Sequence, residues 1–212
     1  FKAIVPPKDR FFADPCVVQR DNGYYIYIEE FIYRSNKGHI SVIEMDQQGR
    51  CKAPVKVIKE AHHLSYPFVF SHRDNYFLIP ESGSTKAVDL YECVEFPFQW
   101  KFRLRLMEGV EAVDTTVFYH HDKWWLFTTI VENPGASDLD ELFLFYSDEL
   151  HSTSWTPHPM NPVVSDVRSA RPAGRIFVHD GRIIRPSQNS SRRYGFGVKM
   201  NEIRILDEKE YE

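Results

Sequence analysis

The chain has 212 residues, of which 42% are hydrophobic and 15% aromatic, and this is enough for a sizeable core, so the composition excludes an intrinsically disordered protein. The 26 basic and 30 acidic residues leave a net charge of −4, so we expect no basic surface for nucleic acid or for an anionic bilayer. No apolar run approaches the roughly 20 residues of a membrane-spanning helix. We therefore predict no nucleic-acid partner and no membrane span.

The three cysteines, Cys16, Cys51 and Cys93, are widely spaced and include no Cys-x-x-Cys pair. An odd number without paired spacing favours free thiols in a reducing compartment such as the cytoplasm over a disulfide framework or structural zinc. The adjacent His62 and His63 would face opposite ways on a strand and do not form a two-ligand metal site by themselves. We predict no metal and no cofactor.

Taken in chain order, the sequence repeats one unit of about 50 residues four times. Each copy holds a short apolar strand, a polar turn and a second apolar strand. The strand pairs are 13–18 with 24–30, 65–70 with 76–81, 113–118 with 124–129, and 170–175 with 182–187, and the turns lie at 20–23, 72–75, 120–123 and 179–181. Aligned on Asp14, Tyr66, Asp114 and Arg171, the copies are 52, 48 and 57 residues apart. This regularity predicts a repeat architecture.

Further β-rich runs follow each hairpin. Third runs lie at 38–45, 87–96, 141–147 and 194–200, and fourth runs lie at 54–59, 100–107 and, in the third copy, at 155–157 leading into 161–163. Three or four short strands in about 50 residues are typical of propeller blades. We therefore predict an all-β fold, a five-bladed β-propeller with four clear blade repeats that start near residues 13, 65, 113 and 170, in one domain over 1–212. Four-bladed closure is one alternative, and a β-sandwich of repeated hairpins is another.

The first positions of the four repeats predict a shared site. In a propeller the innermost strand of each blade begins beside the central axis, so Asp14, Tyr66, Asp114 and Arg171 are expected to converge there. Two carboxylates and a guanidinium where a blade needs apolar packing indicate a polar ligand site, with a structural Asp–Arg network as the alternative. Arg171, supported by Arg175, offers a fork suited to a carboxylate or a phosphate. We predict Arg171, Arg175 and Tyr66 as substrate-binding residues.

A second set of equivalent positions lies where each second strand ends, at Glu29, Glu81, Thr129 and Ser187. Glu29 and the neighbouring Gln188 are predicted as further substrate contacts, although strand ends are also common places for solvated charge. The acidic loop at 138–141 lacks the spaced ligands of a calcium loop, and we predict it to be solvated.

Paired carboxylates near one centre permit general acid and base catalysis, because the charge of one raises the pKa of the other. Asp14 is the predicted base or nucleophile, and Asp114 is predicted to orient it or to hold a substrate hydroxyl. Glu81 is the available acid, since Pro80 and Gly83 fix a turn around it.

The strings at 13–15, 24–27 and 113–115 resemble the five-bladed furanosidase-type glycoside hydrolases of the arabinanase, xylosidase, levansucrase and invertase group. A closer resemblance spans most of the chain, with Gly-His-Ile-Ser-Val-Ile at 38–43, Leu-Ser-Tyr-Pro at 64–67, Pro-Glu-Ser at 80–82, Asp-Leu-Tyr-Glu-Cys at 89–93, Asp-Thr-Thr at 114–116 and Ala-Arg-Pro-Ala-Gly at 170–174. These strings resemble the N-terminal propeller domain of plant glucosamine inositolphosphorylceramide transferases and of bacterial relatives that carry formyltransferase-like or glycosyltransferase domains.

The hydrolase resemblance implies that Asp14 takes the position of the catalytic base or nucleophile and Asp114 that of the orienting aspartate, while Arg171 stands where those hydrolases place their acid. The transferase resemblance implies that transfer chemistry belongs to a separate domain. We therefore predict a carbohydrate-binding propeller that recognises a carbohydrate or glycoconjugate, one carrying an anionic group, beside a glycosyltransferase or formyltransferase domain. The alternative is an active glycoside hydrolase-like or glycan-transfer enzyme that uses Asp14, Asp114 and Glu81, so the sequence leaves open whether the chain is an enzyme.

Overall fold

A computed structural model describes residues 3–212, and its regular structure is almost entirely β. The first sheet contains β1 (Arg10–Arg20), β2 (Gly23–Ile32), β3 (Lys37–Asp46) and β4 (Val55–Ile58), in that order. The second contains β5 (Ser65–His72), β6 (Asn75–Glu81), β7 (Ala87–Glu95) and β8 (Gln99–Glu108). Two short 3₁₀ turns lie at Tyr33–Ser35 and Gly83–Thr85. No helix within the described residues is long and apolar enough to cross a membrane.

The third sheet contains β9 (Ala112–His120), β10 (Lys123–Ile130), β11 (Glu141–Ser147) and β12 (Thr156–Pro157), and β13 (Val164–Ser165) also pairs with β11. The fourth contains β14 (Phe177–His179), β15 (Arg182–Asn189) and β16 (Gly197–Ile203). Each sheet is built from consecutive strands of one sequence repeat. Four blades of a β-propeller are therefore present in residues 3–212, and the fifth predicted blade stays a prediction.

Every predicted hairpin turn is present, and each has two residues between its paired strands. The pairs that close the turns are Arg20 with Gly23, His72 with Asn75, His120 with Lys123, and His179 with Arg182. Left-handed backbone occurs in all four loops, at Asp21, Arg73, Asp74, His121, Asp122, Asp180 and Gly181. Two-residue loops with positive φ match the twist of the flanking strands, so these polar dipeptides set the register of each blade.

A β-bulge interrupts the first strand of three blades at the same place. Asp14, Tyr66 and Asp114 have φ of 49°, 39° and 52°, and the ladder shifts register next to each of them. A bulge adds one residue to one strand, and the side chain of that residue no longer follows the alternation of side chains between the two faces of the sheet. The alignment predicted from the repeats is therefore matched by backbone conformation in blades one to three.

The fourth repeat departs from the prediction. The sequence predicts a strand over 170–175, but this segment makes only an isolated bridge between Pro172 and Ser187, and β14 begins at Phe177. Proline lacks the N–H that a ladder hydrogen bond requires, and Gly174 has a φ of 121°, outside the range of extended strands. The strand predicted at 194–200 is also displaced, since β16 covers Gly197–Ile203.

The same bridge moves Arg171 away from its predicted alignment. In the first sheet, the residue before Asp14 pairs with Glu29. In the fourth sheet, counting from the turn-closing pair of His179 with Arg182, the counterpart of Glu29 is Gln188, and its N–H donates to the Arg171 carbonyl at 2.8 Å. By register, Arg171 therefore lies one position before the place that Asp14 occupies, and Pro172 takes that place.

The chain divides into two compact units, one of residues 1–85 and 89–104 and one of residues 86–88 and 105–212. The core of the first unit is a buried cluster of Val18, Tyr27, Ile40, Val42, Ile58, Leu64, Val69, Leu78 and Tyr91. The core of the second is a cluster of Trp125, Phe127, Leu142, Leu144, Ala170, Ile176, Ile203 and Leu206.

Candidate functional site

In the second unit the site centres on the Asp114 carboxylate, which the bulge of β9 presents. Asp114 is only 3% exposed, and its Oδ2 accepts hydrogen bonds from Arg171 Nε at 2.6 Å and from Gln188 Nε2 at 2.7 Å. Arg171 is 6% exposed, so the two charges form a buried ion pair. Charge-assisted bonds of this length are among the stronger hydrogen bonds in proteins. An Asp–Arg network, given above as the structural alternative to a ligand site, is therefore present between Arg171 and Asp114.

A second carboxylate binds the same guanidinium. Arg171 Nη1 donates to Asp138 Oδ2 at 2.7 Å, and the Asp138 side chain is 44% exposed. The loop at 138–141 was predicted to be solvated, and Asp138 in addition binds Arg171, a contact that was not predicted. The one indication in the sequence that this loop takes part in the site was its position after the second strand of its repeat. We call Asp114, Asp138, Arg171 and Gln188 the arginine cluster.

A buried arginine that the sequence analysis missed holds the segment in front of Arg171. Arg185 on β15 is 2% exposed and donates to the carbonyls of Ser169 at 2.7 Å and Ala170 at 3.2 Å, and to Tyr211 Oη at 3.2 Å. These bonds satisfy carbonyl groups that are outside any strand ladder. The segment that carries Arg171 is thus fixed by side-chain bonds, and the repeat pattern gave no sign of them.

The solvent side of the arginine cluster is aromatic. The guanidinium carbon of Arg171 lies 5.5 Å from the centre of the Tyr194 ring, and Tyr194 is 60% exposed. Among the described residues, two buried hydroxyl groups in this unit, Thr129 Oγ1 and Ser190 Oγ, have no hydrogen-bond partner. Thr129 pairs with Val113, the residue before Asp114. A buried hydroxyl without a partner is costly, so these two atoms are unsatisfied hydrogen-bonding groups in the interior of this unit.

In the first unit, the half-buried Asp14 meets a backbone donor. Asp14 Oδ2 accepts a hydrogen bond from the Tyr66 N–H at 3.2 Å. Tyr66 is 8% exposed, and its role in binding stays a prediction. A bulky residue with a φ of 39° is strained, and such strain is commonly found at functional sites.

Next to this bond, Glu29 and His63 are packed against Gly38. The His63 Nδ1 atom accepts the Gly38 N–H at 2.9 Å, and His63 Nε2 lies 3.5 Å from Glu29 Oε1. A Cβ on Gly38 would lie 2.6 Å from the Leu64 carbonyl oxygen and 2.8 Å from Glu29 Oε1, so only glycine allows this approach. Burial lowers the pKa of His63, and the Asp14 charge opposes this only in part. The sequence analysis considered His63 only as a metal ligand and missed this role.

The remaining predicted residues are on strand ends or loops. Glu81 is half-buried at the end of β6 and pairs with Ser65, the residue before Tyr66. Arg175 is exposed on the segment before β14. The catalytic role of Glu81 and the binding role of Arg175 stay predictions.

A third polar group lies on the other face of the first sheet. The Glu30 carboxylate binds Arg10 Nη1 at 2.6 Å, Ser41 Oγ at 2.6 Å and His39 Nε2 at 3.0 Å. Burial raises the pKa of Glu30, but the bonds from Ser41 and Arg10 and the charge of His39 outweigh burial and the pKa is lowered. Burial also lowers the pKa of His39, against the effect of Glu30. We call these four residues the Glu30 network.

No group of three or more His, Cys, Asp or Glu side chains in residues 3–212 is arranged to hold a metal ion. The chemistry of the site is that of fixed hydrogen-bond donors and acceptors: a buried guanidinium and carboxylates in one unit, and carboxylates with an imidazole in the other. Such preorganised groups suit the recognition of a hydroxyl-rich ligand.

The fold and these polar blade starts define a β-propeller of the architecture found in glycoside hydrolases. It is similar to the RS223 β-xylosidase (TM-score 0.72, 11% identity, 95% of this chain and 73% of that one) and to a GH43 β-1,3-galactosidase with galactodeoxynojirimycin (0.71, 11%, 96% and 75%). It is also similar to an exo-β-1,3-galactanase from Clostridium thermocellum (0.69, 12%, 95% and 48%). At such low identity the likeness shows the fold alone.

The sequence comparison is more specific. The chain belongs to the family described as "Glucosamine inositolphosphorylceramide transferase 1, N-terminal", which matches residues 4–212. It is 31% identical over 204 residues to glucosamine inositolphosphorylceramide transferase 1 of Arabidopsis thaliana and 30% identical to that of Oryza sativa subsp. japonica, covering 95% of this chain in both cases. The chain spans about a quarter of the length of these curated relatives, 26% and 27%. The predicted family resemblance is confirmed.

Proposed function

We propose that this chain is a glycan-recognition propeller that binds a carbohydrate beside a transferase region of a longer protein. The observation that carries the proposal is the arginine cluster, in which Asp114 and Arg171 are both buried and bound to each other at 2.6 Å. The transferase part of the proposal is supported by the family, whose relatives are named transferases and are about four times longer.

The arginine cluster supports binding because its polar groups are fixed before a ligand arrives. Burying a charged pair costs desolvation energy, and a purely structural blade start would more cheaply use apolar residues. Beside the pair, the exposed Tyr194 ring supplies an aromatic surface of the kind that carbohydrate sites combine with hydrogen-bonding groups.

The predicted preference for an anionic sugar depends on Asp138. Because Arg171 already pairs with Asp114 and Asp138, an anionic group must compete with a carboxylate for the guanidinium. Asp138 is the exposed member of the two and the one that can be displaced. Asp138→Asn should therefore strengthen binding of glucuronate relative to glucose, two sugars that differ in one carboxylate.

The test is a titration of the chain, followed by NMR, with xylobiose, β-1,3-galactobiose, glucosamine, glucose and glucuronate. We expect binding of at least one sugar, and a loss of about 10-fold or more in Arg171→Ala. Arg171→Lys keeps the charge without the fork and should lose most of the affinity while keeping the fold. Arg168→Ala, which removes an exposed arginine three residues away, is the matched control. Absence of binding to every sugar, or equal binding by the Arg168 and Arg171 variants, would overturn the proposal.

A glycoside hydrolase-like or glycan-transfer activity is the second candidate, and one observation favours it. Asp14 and Asp114 each stand in a left-handed bulge at equivalent positions of their blades, and β-bulges are over-represented next to active sites. The acid would be Glu81. Turnover of aryl xylosides and galactosides by the chain, abolished in Asp14→Asn with sugar binding retained, would establish this activity, and absence of turnover in a sugar-binding chain would exclude it.

We also propose that the propeller has a fifth blade, supplied outside residues 3–212. On one face of the fourth sheet, Phe177, Val198 and Met200 are 40%, 61% and 65% exposed, and by register they are on the same face. An apolar face of this kind is normally covered by a neighbouring sheet. A longer version of the protein should protect the amides of β16 from hydrogen exchange better than the 212-residue chain does. Equal protection would favour four-bladed closure.

A further inference from the structure

An aromatic row lies at the open end of the first hairpin. Phe11 and Phe31 face each other across β1 and β2, and their rings are stacked with centroids 4.8 Å apart. The Tyr33 ring lies 6.2 Å from Phe11 and 6.4 Å from Phe31, and Tyr33 is 54% exposed. The His63 ring packs edge-on against Phe31 at 5.8 Å. We call Phe11, Phe31, Tyr33 and His63 the aromatic row.

The polar end of the row is a histidine with a fixed tautomer. Since His63 Nδ1 accepts the Gly38 N–H, the neutral ring carries its proton on Nε2. That Nε2 lies 3.5 Å from Glu29 Oε1, beyond the 2.7–3.2 Å of a direct N–H to O hydrogen bond. A hydroxyl group placed beside both atoms can accept from Nε2 and donate to Oε1. The His63 side chain is 40% exposed, so a ligand can approach it from solvent.

We propose that the aromatic row binds one ring of a carbohydrate, with the C–H face of the sugar on Tyr33 and a sugar hydroxyl on His63. The inference rests on the proposed function, because it assigns a subsite to the same recognition domain. The aromatic row is proposed to bind a neutral sugar ring, whereas the arginine cluster is proposed to bind a charged group.

Three features favour a sugar ring over an apolar peptide as the occupant. A pyranose has one face of C–H groups and a rim of hydroxyls, which matches an exposed aromatic side chain next to a hydrogen-bonding pair. The row adjoins a predicted substrate contact, since His63 Nε2 lies 3.5 Å from Glu29 Oε1. The larger apolar rings of the row, Phe11 and Phe31, are packed against each other and half-buried, so mainly Tyr33 and His63 remain for contact.

The test uses xylobiose and β-1,3-galactobiose as probes, titrated into the full 212-residue chain and followed by NMR. Tyr33→Ala and His63→Ala should each weaken binding by about 3- to 10-fold. Tyr33→Phe, which keeps the ring, should bind as the unchanged chain does. The sugar C–H protons should shift upfield on binding, and this ring-current shift should disappear in Tyr33→Ala. Tyr119→Ala removes a tyrosine of similar exposure, 46%, on β9 and should change nothing.

The outcomes separate the two proposals. If the unchanged chain binds neither disaccharide, the subsite is excluded, and if it binds no other sugar either, the recognition function fails as well. If Arg171→Ala loses binding while Tyr33→Ala and His63→Ala keep it, the subsite is wrong and the recognition function stands. A loss in Tyr33→Phe as large as in Tyr33→Ala would place the contact on the phenol hydroxyl and overturn the stacking role. Thermal unfolding of each variant shows whether the fold is retained.

Discussion

Asp14 and Asp114 share one backbone geometry, but the groups that bind their carboxylates differ. Both aspartates occupy a left-handed bulge near the start of the first strand of their blade, with φ of 49° and 52°. Asp114 is 3% exposed and is bound by a guanidinium and an amide at 2.6 and 2.7 Å. Asp14 is half-buried and accepts a backbone N–H at 3.2 Å.

The difference teaches that the bulge determines where a side chain is presented, and that neighbouring segments determine its chemistry. The surroundings of Asp114 come from the irregular segment that carries Arg171, whereas the surroundings of Asp14 come from the approach of the 63–66 segment to the first sheet. The Asp114 site should therefore depend on an ion pair, and the Asp14 site should depend on backbone packing.

The largest effect should come from removing the ion pair. Arg171→Ala leaves Asp114 buried without its guanidinium, and we expect the free energy of unfolding to fall by about 3 kcal/mol. Asp14→Asn keeps an acceptor for the Tyr66 N–H and should cost less than about 1 kcal/mol. Chemical denaturation of both variants measures the difference. Equal losses would remove the distinction between the two sites.

The exposed pair of Arg168 with Asp166 gives the control for this experiment. Its arginine side chain is 60% exposed, and Arg168→Ala should leave the unfolding transition nearly unchanged. A loss as large as that of the Arg171 variant would mean that burial is not the cause.

The packing of the Asp14 site is tested at Gly38. Gly38→Ala introduces a methyl group within 2.6 Å of the Leu64 carbonyl oxygen, so the segment that carries His63 must shift, at a cost of about 1–3 kcal/mol. The His63 imidazole resonances should move in an NMR spectrum of the variant. At Gly23 the nearest atom is 3.5 Å away, an ordinary contact, and Gly23→Ala is the matched control. Unchanged His63 resonances in Gly38→Ala would contradict the packing argument.

The pH dependence of stability extends the comparison to the Glu30 network. Because the pKa of His39 in the folded chain is below its usual 6.5, the unfolded chain binds more protons, and stability should fall as the pH drops below 6.5. The pKa of Glu30 is also lowered, so its contribution is present above pH 4.5 and is lost as the pH falls through the folded-state pKa.

Denaturation midpoints between pH 7 and pH 4 measure both contributions. His39→Gln should reduce the slope just below pH 6.5, while replacement of the exposed His179 by glutamine should leave it unchanged. If His39→Gln does not change the slope, the slope arises from the half-buried His63 and His120, since partial burial also lowers their pKa values.

The smallest effect concerns the solvent side of the arginine cluster. Tyr194→Ala removes the ring 5.5 Å from the Arg171 guanidinium carbon and should cost about 0.5–1 kcal/mol of stability, as an exposed cation–π contact does. Tyr194→Phe keeps the ring and should have the same stability as the unchanged chain. A loss near that of Arg171→Ala would show that the tyrosine has a structural role in the cluster.

Much of the fold could be predicted from the sequence because each repeat carries its own local signals. The four polar dipeptides that close the hairpins need left-handed backbone, and the strands on either side have the apolar character of blades. The alignment of Asp14, Tyr66 and Asp114 could be predicted because these residues lie on regular strand ladders, where equal spacing in sequence gives equivalent positions in the blades.

The rest depends on interactions that a repeat does not encode. The strand expected at 170–175 fails because Pro172 cannot donate to a ladder and Gly174 adopts a φ of 121°. The contacts of Arg185 with two carbonyl groups, of Asp138 with Arg171 and of His63 with Gly38 join residues 15 to 33 positions apart through irregular segments. Sequence periodicity gives no information about such contacts.

The left-handed bulge also has an evolutionary consequence. Since the extra residue stands outside the alternation of the strand, its side chain can be exchanged while the ladder keeps its register. Selection can then change the chemistry of a blade start by a single codon, from aspartate to tyrosine or back, without remodelling the blade. A repeat protein can in this way carry a different side chain at one position of each blade, as Asp14, Tyr66 and Asp114 do here.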